Sequence, residues 1–315
     1  GALRYNTDSN KVELYDGSQW AEVQSSRPDL NGGARGLFAG GNAPTVTNVI
    51  QYVTISTTGN AQDFGDLTEA VYCRNGGCSS STRGIRGGGT PGNVNTIDYI
   101  TIASTGNAQN FGDLTLGRHA LAALSNQTRG LFGGGTDPGA FNLIEYITIA
   151  STGNAQDFGD LITTNYGLTS CSSSTRGIFG GGFSGGNLNT IQFITISTLG
   201  NSQDFGDLSA AKYYLSACSS STRGIFGGGN TSGNVIEFIT IATTGNAQNF
   251  GDLLSARTEL ASCSSPTRGL FSGGNPGINV IEYITIISTG NSIDFGDLIN
   301  SPTGHAGFSN AHGGL

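Results

Sequence analysis

The tripeptide Arg-Gly-[Leu/Ile] occurs six times in register, at Arg35, Arg83, Arg129, Arg176, Arg223 and Arg268, with steps of 48, 46, 47, 47 and 45 residues. Phe-Gly-Asp-Leu keeps the same pace from Phe64, Phe111, Phe158, Phe205, Phe250 and Phe295. Two independent markers with one period mean one supersecondary unit repeated along the chain, and such units bury their apolar faces only against their neighbours. The third copy reads as four short strands: RGLFGGG from Arg129, NLIEYITIA from Asn142, NAQDFGDL from Asn154 and YGLTSCSSS from Tyr166. Glycine and serine punctuate them. In LIEYITI the apolar residues fall on both parities, as a strand covered on both faces requires. A period near 47 with four strands per unit predicts a β-propeller, with an open solenoid as the competing geometry.

The C-terminus favours closure. At the local step of 45, Phe308 falls on the Cys263 position, Gly314 on Gly269 and Leu315 on Leu270, so one further strand follows the sixth FGDL. If that strand completes the blade begun at Arg35, the ring closes between its two ends. The expected fold is therefore all-β, a six-bladed propeller over 35–315 whose C-terminal strand completes the first blade. Composition agrees: glycine is 52 of 315 residues and charged residues are 11%, against usual levels of about 7% and about 25%. No every-third-residue glycine pattern is present, which excludes collagen. The glycine triplets at Gly133, Gly180 and Gly227 lack a following GKS or GKT, so they read as turns with φ > 0 rather than as phosphate cradles.

Residues 1–23, GALRYNTDSNKVELYDGSQWAEV, read as a separate small β-meander with turns at TDSN and DG, and 24–34 as a linker. With no methionine in the sequence, Gly1 is not a translational start. No apolar run approaches the roughly 18 residues that span a bilayer, and GALRYNTDSN lacks the regions of a signal peptide. The net charge is −8 and Lys and Arg do not cluster, which argues against nucleic acid and anionic membrane as partners.

RGLFGGG, then a variable loop, an IEYITI-type strand and an LSARTELASCSS-type segment resemble the kelch repeat, whose blades carry a double glycine after the second strand and a basic residue before the first. The resemblance covers 35–315 and lacks the family's tryptophan: Trp20, the only one, lies outside the repeats, and Phe64 and its equivalents stand where that aromatic is expected. NTIDYITIASTGNAQNFGDLT and the ending GHAGFSNAHGGL resemble repeats of virion proteins of marine tailed phages. The N-terminal pattern RYN, ELYDG, W resembles a module of phage tail-fibre and other virion proteins. The resemblance implies a virion component, released in an extracellular particle and made in the host cytoplasm, with residues 1–23 contacting other virion proteins. A homo-oligomer is compatible with it.

Within one chain, positions that repeat serve the fold and positions that differ are free to carry function. Fourteen of the 22 acids repeat: the FGD aspartates, four aspartates before the Phe, and Asp98, Glu145, Glu237 and Glu282 in the IEY strand. With the six repeated arginines they are expected to form hydrogen bonds and ion pairs within and between blades. Cys78, Cys171, Cys218 and Cys263 share their position with Leu124 and Phe308, so this is an apolar slot; a disulfide framework is not expected, nor is a metal site, since zinc-ligand spacing is absent.

The differing residues lie after the glycine triplets and just before each YGLTSCSSS-type strand. The second group carries bulk and charge: Tyr72, Arg74, Arg118, His119, Asn165, Tyr166, Lys212, Tyr213, Tyr214 and Arg257, with Glu259 and His305 beside them. In kelch-like propellers this segment borders the mouth of the central channel. Aromatic faces and polar groups there suit a polar, weakly anionic ligand such as a surface glycan. Long side chains that merely cap the blade ends are the alternative. HExxH does not occur, and among nonrepeated propeller acids only Glu69, Asp137 and Glu259 could serve glycan cleavage, so no enzyme and no cofactor are expected. The expected role is a tail-fibre or capsid-appendage adhesin for a host surface glycan or protein, with a structural or decoration protein binding only virion subunits as the alternative.

Overall fold

The computed structural model describes residues 2–6, 11–15, 17–22 and 34–315, which fall in two compact units, Gly1–Asn31 and Gly32–Leu315. The first holds a three-stranded antiparallel sheet of Leu3–Asn6, Lys11–Tyr15 and Trp20–Glu22. The Arg4 guanidinium lies 4.1 Å over the Trp20 ring, whose other neighbour is Tyr15. Gly17 takes φ +110°, as the turn expected at DG requires. The turn expected at 7–10 and the linker at 24–34 lie, but for residue 34, outside the described residues.

The second unit is a six-bladed β-propeller. Blade 1 joins Ala306–Ser309 to Arg35–Ala39, Val49–Thr54 and Gln62–Asp66. From inside outward, blade 2 is Gly77–Ser79, Arg83–Gly89, Val94–Thr101 and Gln109–Asp113; blade 3 is Ala122–Ser125, Arg129–Gly133, Phe141–Thr148 and Gln156–Asn165. Blade 4 is Thr169–Ser172, Arg176–Gly180, Thr190–Thr195 and Gln203–Asp207; blade 5 is Leu215–Ser219, Arg223–Gly228, Val235–Thr240 and Gln248–Asp252; blade 6 is Ala261–Ser264, Arg268–Ser272, Val280–Thr285 and Ile293–Asp297. Every pairing is antiparallel, and Ala306↔Ala39 through Ser309↔Gly36 closes the ring as the repeat arithmetic predicts.

Apolar cores lie between blades rather than within them. Cys78, Ile85 and Ile97 of blade 2 pack with Phe132 and Ile147 of blade 3, and the same arrangement recurs around the ring. Gly133 shows why glycine is kept here: a Cβ on it would lie 2.6 Å from the Phe179 ring of blade 4. The cysteine slot works as expected, since the Cys78, Leu124 and Phe308 side chains all press on a glycine of the neighbouring blade. All five cysteines are free and buried.

Three hydrogen bonds per blade link the outer strands. In blade 1 the Phe64 and Asp66 carbonyls accept from Gly106 and Ala108 of blade 2, and Asp66 N–H donates to Asn107 Oδ1 at 3.1 Å. The same trio recurs at every blade junction, including Gly59, Asn60 and Ala61 of blade 1 on Phe295 and Asp297 of blade 6. FGD and GN repeat because they are two halves of one joint.

The repeated arginines make the expected hydrogen bonds between blades but not the expected ion pairs. They do not pair with the repeated acids. Each lies over the aromatic ring of the adjoining strand and donates to a carbonyl of the following blade, as Arg129 does to Ile196 O at 2.9 Å over Tyr146. Arg35 bridges in this way to Ile102, Arg83 to Ile149 and Arg268 to Ile55. A guanidinium that stacks and donates at once is the group this joint needs.

Candidate functional site

Antiparallel order decides which loops share a face. Inner strands begin where outer strands end, and the second strand climbs back to that same side. The loops after the glycine triplets and the segments before the inner strands therefore lie together on one face of the disc. The opposite face carries the recurring SSSTRG-type and TGNAQ-type turns and the C-terminal residues. The chain enters the ring at Arg35 on that constant face.

On the variable face, backbone hydrogen bonds circle the channel mouth: Gly304 N–H donates to Glu259 O, Glu259 to Tyr214, Tyr214 to Gly167 and Gly167 to Ala120, while Arg74 N–H donates to Gly304 O. These rim residues take left-handed φ, from +48° at Arg74 to +65° at Gly167. Three of them carry large side chains, and those meet. Arg74 of blade 2 lies 4.3 Å from the Tyr72 ring and 4.8 Å from that of Tyr214, on the blade diametrically opposite. Its guanidinium is 3.2 Å from Glu259, which also accepts from Tyr72 Oη. Burial, then the Glu259 bond, raises the Tyr72 hydroxyl pKa, and burial pushes Tyr214 up to about 12. The arrangement is a brace across the mouth.

The expected site residues divide. Arg118, Asn165, Lys212 and Arg257 are buried inside blades. Arg118 pairs with Glu145 at 2.6 Å, Lys212 with Glu237 at 3.2 Å and Arg257 with Glu282. Burial pulls Arg118 below its ordinary pKa against the attraction of Glu145. A common need explains these acids. The third-strand residue caps a backbone N–H of the preceding blade: Glu145 caps Thr115 at 2.8 Å, Gln192 caps Ile162 at 2.9 Å and Gln51 caps Ile299 at 2.7 Å. An amide does this as well as a carboxylate, but a carboxylate needs a cation. Blade 4, with Gln192, has neutral Asn165 at the Arg118 position; blade 2, with Asp98, draws its cation from Arg86 of its second strand, where the other blades have Phe. Glu69 is 3.7 Å from that guanidinium.

Tyr72, Arg74, His119, Tyr166, Tyr213 and Tyr214 stay half-exposed on the variable face. His119 Nδ1 is 3.2 Å from Asn93 Oδ1, and burial lowers its pKa; Asp137 accepts from Asn93. Tyr166 and Tyr213 meet Phe183, at ring distances of 5.3 and 5.6 Å. Phe183 stands in a loop after a glycine triplet, and its bulk among small polar neighbours was the available signal for it.

The channel itself is narrow and polar. Ser79, Ser125, Ser172, Ser219, Ser264 and Ser309 close a ring in which each hydroxyl donates to the serine carbonyl of the preceding blade, at 2.5–2.8 Å. At the constant face, residues 310–315, which follow that further strand, turn into this channel. His312 Nε2 lies 2.9 Å from Ser79 O, its Nδ1 accepts from Gly314 N–H at 3.1 Å, and Gly313 N–H donates to Ser219 O. A Cβ on Gly313 would lie 2.7 Å from the Ser172 carbonyl oxygen. With the brace above and this plug below, a cavity of about 50 Å³ remains, room for a few waters and far short of the roughly 300 Å³ of a small-molecule site. The channel therefore has no room for a small-molecule ligand.

Neither comparison with protein-family models nor comparison with curated protein sequences finds a match.

Proposed function

We propose that the chain is a non-enzymatic, kelch-like adhesin of a phage particle, which recognises a host surface molecule through the variable face of the propeller. One observation carries this reading: the loops after the glycine triplets and the segments before the inner strands, where the repeats differ most, lie on one face, opposite the point where the chain enters the ring. Variation concentrated on a rigidly supported face suits recognition, because loops can diverge there without disturbing the joints between blades. The virion setting comes from the wording of the repeats and of residues 1–23. Glu259 is held between Tyr72 and Arg74. A decoration role, with contacts only to other virion subunits, draws support from Leu199, Ile287 and Ile293, apolar residues exposed on the constant side.

The test is adsorption of the labelled full chain to cells of candidate marine hosts, beside a Tyr166→Thr, Tyr213→Thr variant. Saturable adsorption lost in the variant supports an adhesin. Adsorption to no candidate host, together with capture of virion subunits, would transfer the assignment to the decoration role.

A further inference from the structure

The six blades carry equivalent residue pairs on the variable face, one from the loop after the glycine triplet and one from the segment before the inner strand. They are Asn42 with Thr303, Thr90 with Tyr72, Thr136 with His119, Phe183 with Tyr166, Asn230 with Tyr213 and Asn275 with Thr258, each joined through its backbone. The loop member is Asn or Thr in five blades and Phe in blade 4 alone. The joint evidently does not require an aromatic ring there, since five copies form without one. Yet Phe183 sits half-exposed between the Tyr166 and Tyr213 rings, and Tyr213 continues to Tyr214 at 4.4 Å. A half-exposed aromatic tract that the fold does not demand is a candidate contact surface.

The surroundings select the ligand. Short polar groups flank the rings: Thr164 and Ser184 hydroxyls 3.3 Å apart, the Asn187 amide 3.4 Å from Thr231 Oγ1, and Asn230 Oδ1, which accepts from Tyr213 N–H. Charge is withheld from the tract. Lys212, next to Tyr213, is buried on Glu237, and Arg74 is sandwiched by Tyr72 and Tyr214 and held by Glu259. An anionic ligand would find no uncommitted cation among these residues. A protein partner would need roughly 800 Å² with further apolar anchors, whereas the pairs of blades 1, 3 and 6 offer only Asn, Thr and His. Flat rings that cover C–H faces, rimmed by amides and hydroxyls, fit an uncharged sugar ring.

We infer that Tyr166, Phe183 and Tyr213 form a subsite for an uncharged pyranose of a surface glycan; this rests on the adhesin reading and corrects its weakly anionic ligand to a neutral one. The test titrates the full chain against dextran, amylose, laminarin and galactomannan, with dextran sulfate as the anionic counterpart, and measures adsorption to host cells before and after periodate or protease treatment. Binding to an uncharged polysaccharide is expected to fall roughly tenfold or more in Phe183→Thr and in Tyr213→Thr. Phe183→Thr installs the residue found in blades 2 and 3, and an unchanged unfolding midpoint certifies its fold. Binding to dextran sulfate alone, polysaccharide binding indifferent to both substitutions, or cell adsorption that resists periodate and yields to protease would each overturn the glycan subsite while leaving the adhesin standing. Failure to adsorb to any host cell would remove both.

Discussion

Glu145→Gln tests what holds blade 3 together, and the chain contains its own control. The substitution keeps the oxygen that caps Thr115 N–H, as Gln192 does for Ile162 in blade 4. It removes the charge opposite Arg118, which is fully buried and whose remaining partners are the Leu143 and Phe132 carbonyls at 3.4 and 3.3 Å. Stranding a buried guanidinium costs about 3–5 kcal/mol. Unfolding entropy for a unit the size of Gly32–Leu315 is about 0.6 kcal/mol/K, so Tm should fall by about 5–8 °C. Adding Arg118→Asn converts blade 3 to the neutral pairing of blade 4, in which Asn165 donates to Gly181 O and accepts from Phe183 N–H, both at 2.9 Å. The double variant should return to within about 1 kcal/mol of the parent, because replacing both members of a buried pair is often near neutral. Urea midpoints at constant m-value, with calorimetry alongside, give the full cycle. Should Glu145→Gln cost less than about 1 kcal/mol, or the double variant be no more stable than the single, the charge-matching account of the third strand is wrong.

Burial holds His305 neutral with its pKa down to about 3, and lowers that of His312 as well. A depressed histidine leaves the unfolded chain binding protons that the native state refuses, so stability is full above pH about 6.5 and falls as pH drops below it, for His305 by about 2–3 kcal/mol down to pH 4.5. His305 donates or accepts at Ser272 Oγ, 2.9 Å away, where four of the other five junctions pair Leu with Gly; His305→Leu with Ser272→Gly should therefore flatten part of this slope, and equal urea midpoints for parent and variant at both pH values would count against it. Gly65→Ala should destabilise by several kcal/mol, since φ is +145° and the new Cβ would lie 2.5 Å from Gly106 O, whereas Gly139→Ala, with open space around it, should change stability by less than about 1 kcal/mol. Thermal melts of the two variants decide this, and equal Tm values would refute the role given to the FGD joint.

The ring, its blade number and its closure were legible because every local signal agreed: period, parity, turn residues and the Phe308 alignment all pointed the same way. The site was less so. Arg118, Lys212 and Arg257 read as mouth residues because charge is visible in a sequence and burial is not. A signal for their partners was present nonetheless, since Arg118 and Glu145 are separated by 27 residues, as are Asn165 and Gln192, and the charged pair is replaced as a pair. The rim geometry that brings Arg74 to Tyr214 depends on left-handed backbone at nonglycine residues, which no residue pattern announces. The plug was not legible because nothing in the residues after Ser309 marks a turn into the channel.

The interlocked outer strands have a consequence for how the molecule stays dispersed. Exposed strand edges invite pairing with another chain, and sheet proteins ordinarily discourage it with lysine and other charged side chains. Here the outward carbonyls of Phe64 and Asp66 and their equivalents are already occupied by the next blade's turn, and the last junction is made like the first. Protection against edge-to-edge aggregation is thus supplied by backbone geometry repeated around a closed circle. The propeller thus guards its strand edges in a chain whose charged fraction is only 11%, and its variable face is left to carry serine, threonine, asparagine and tyrosine.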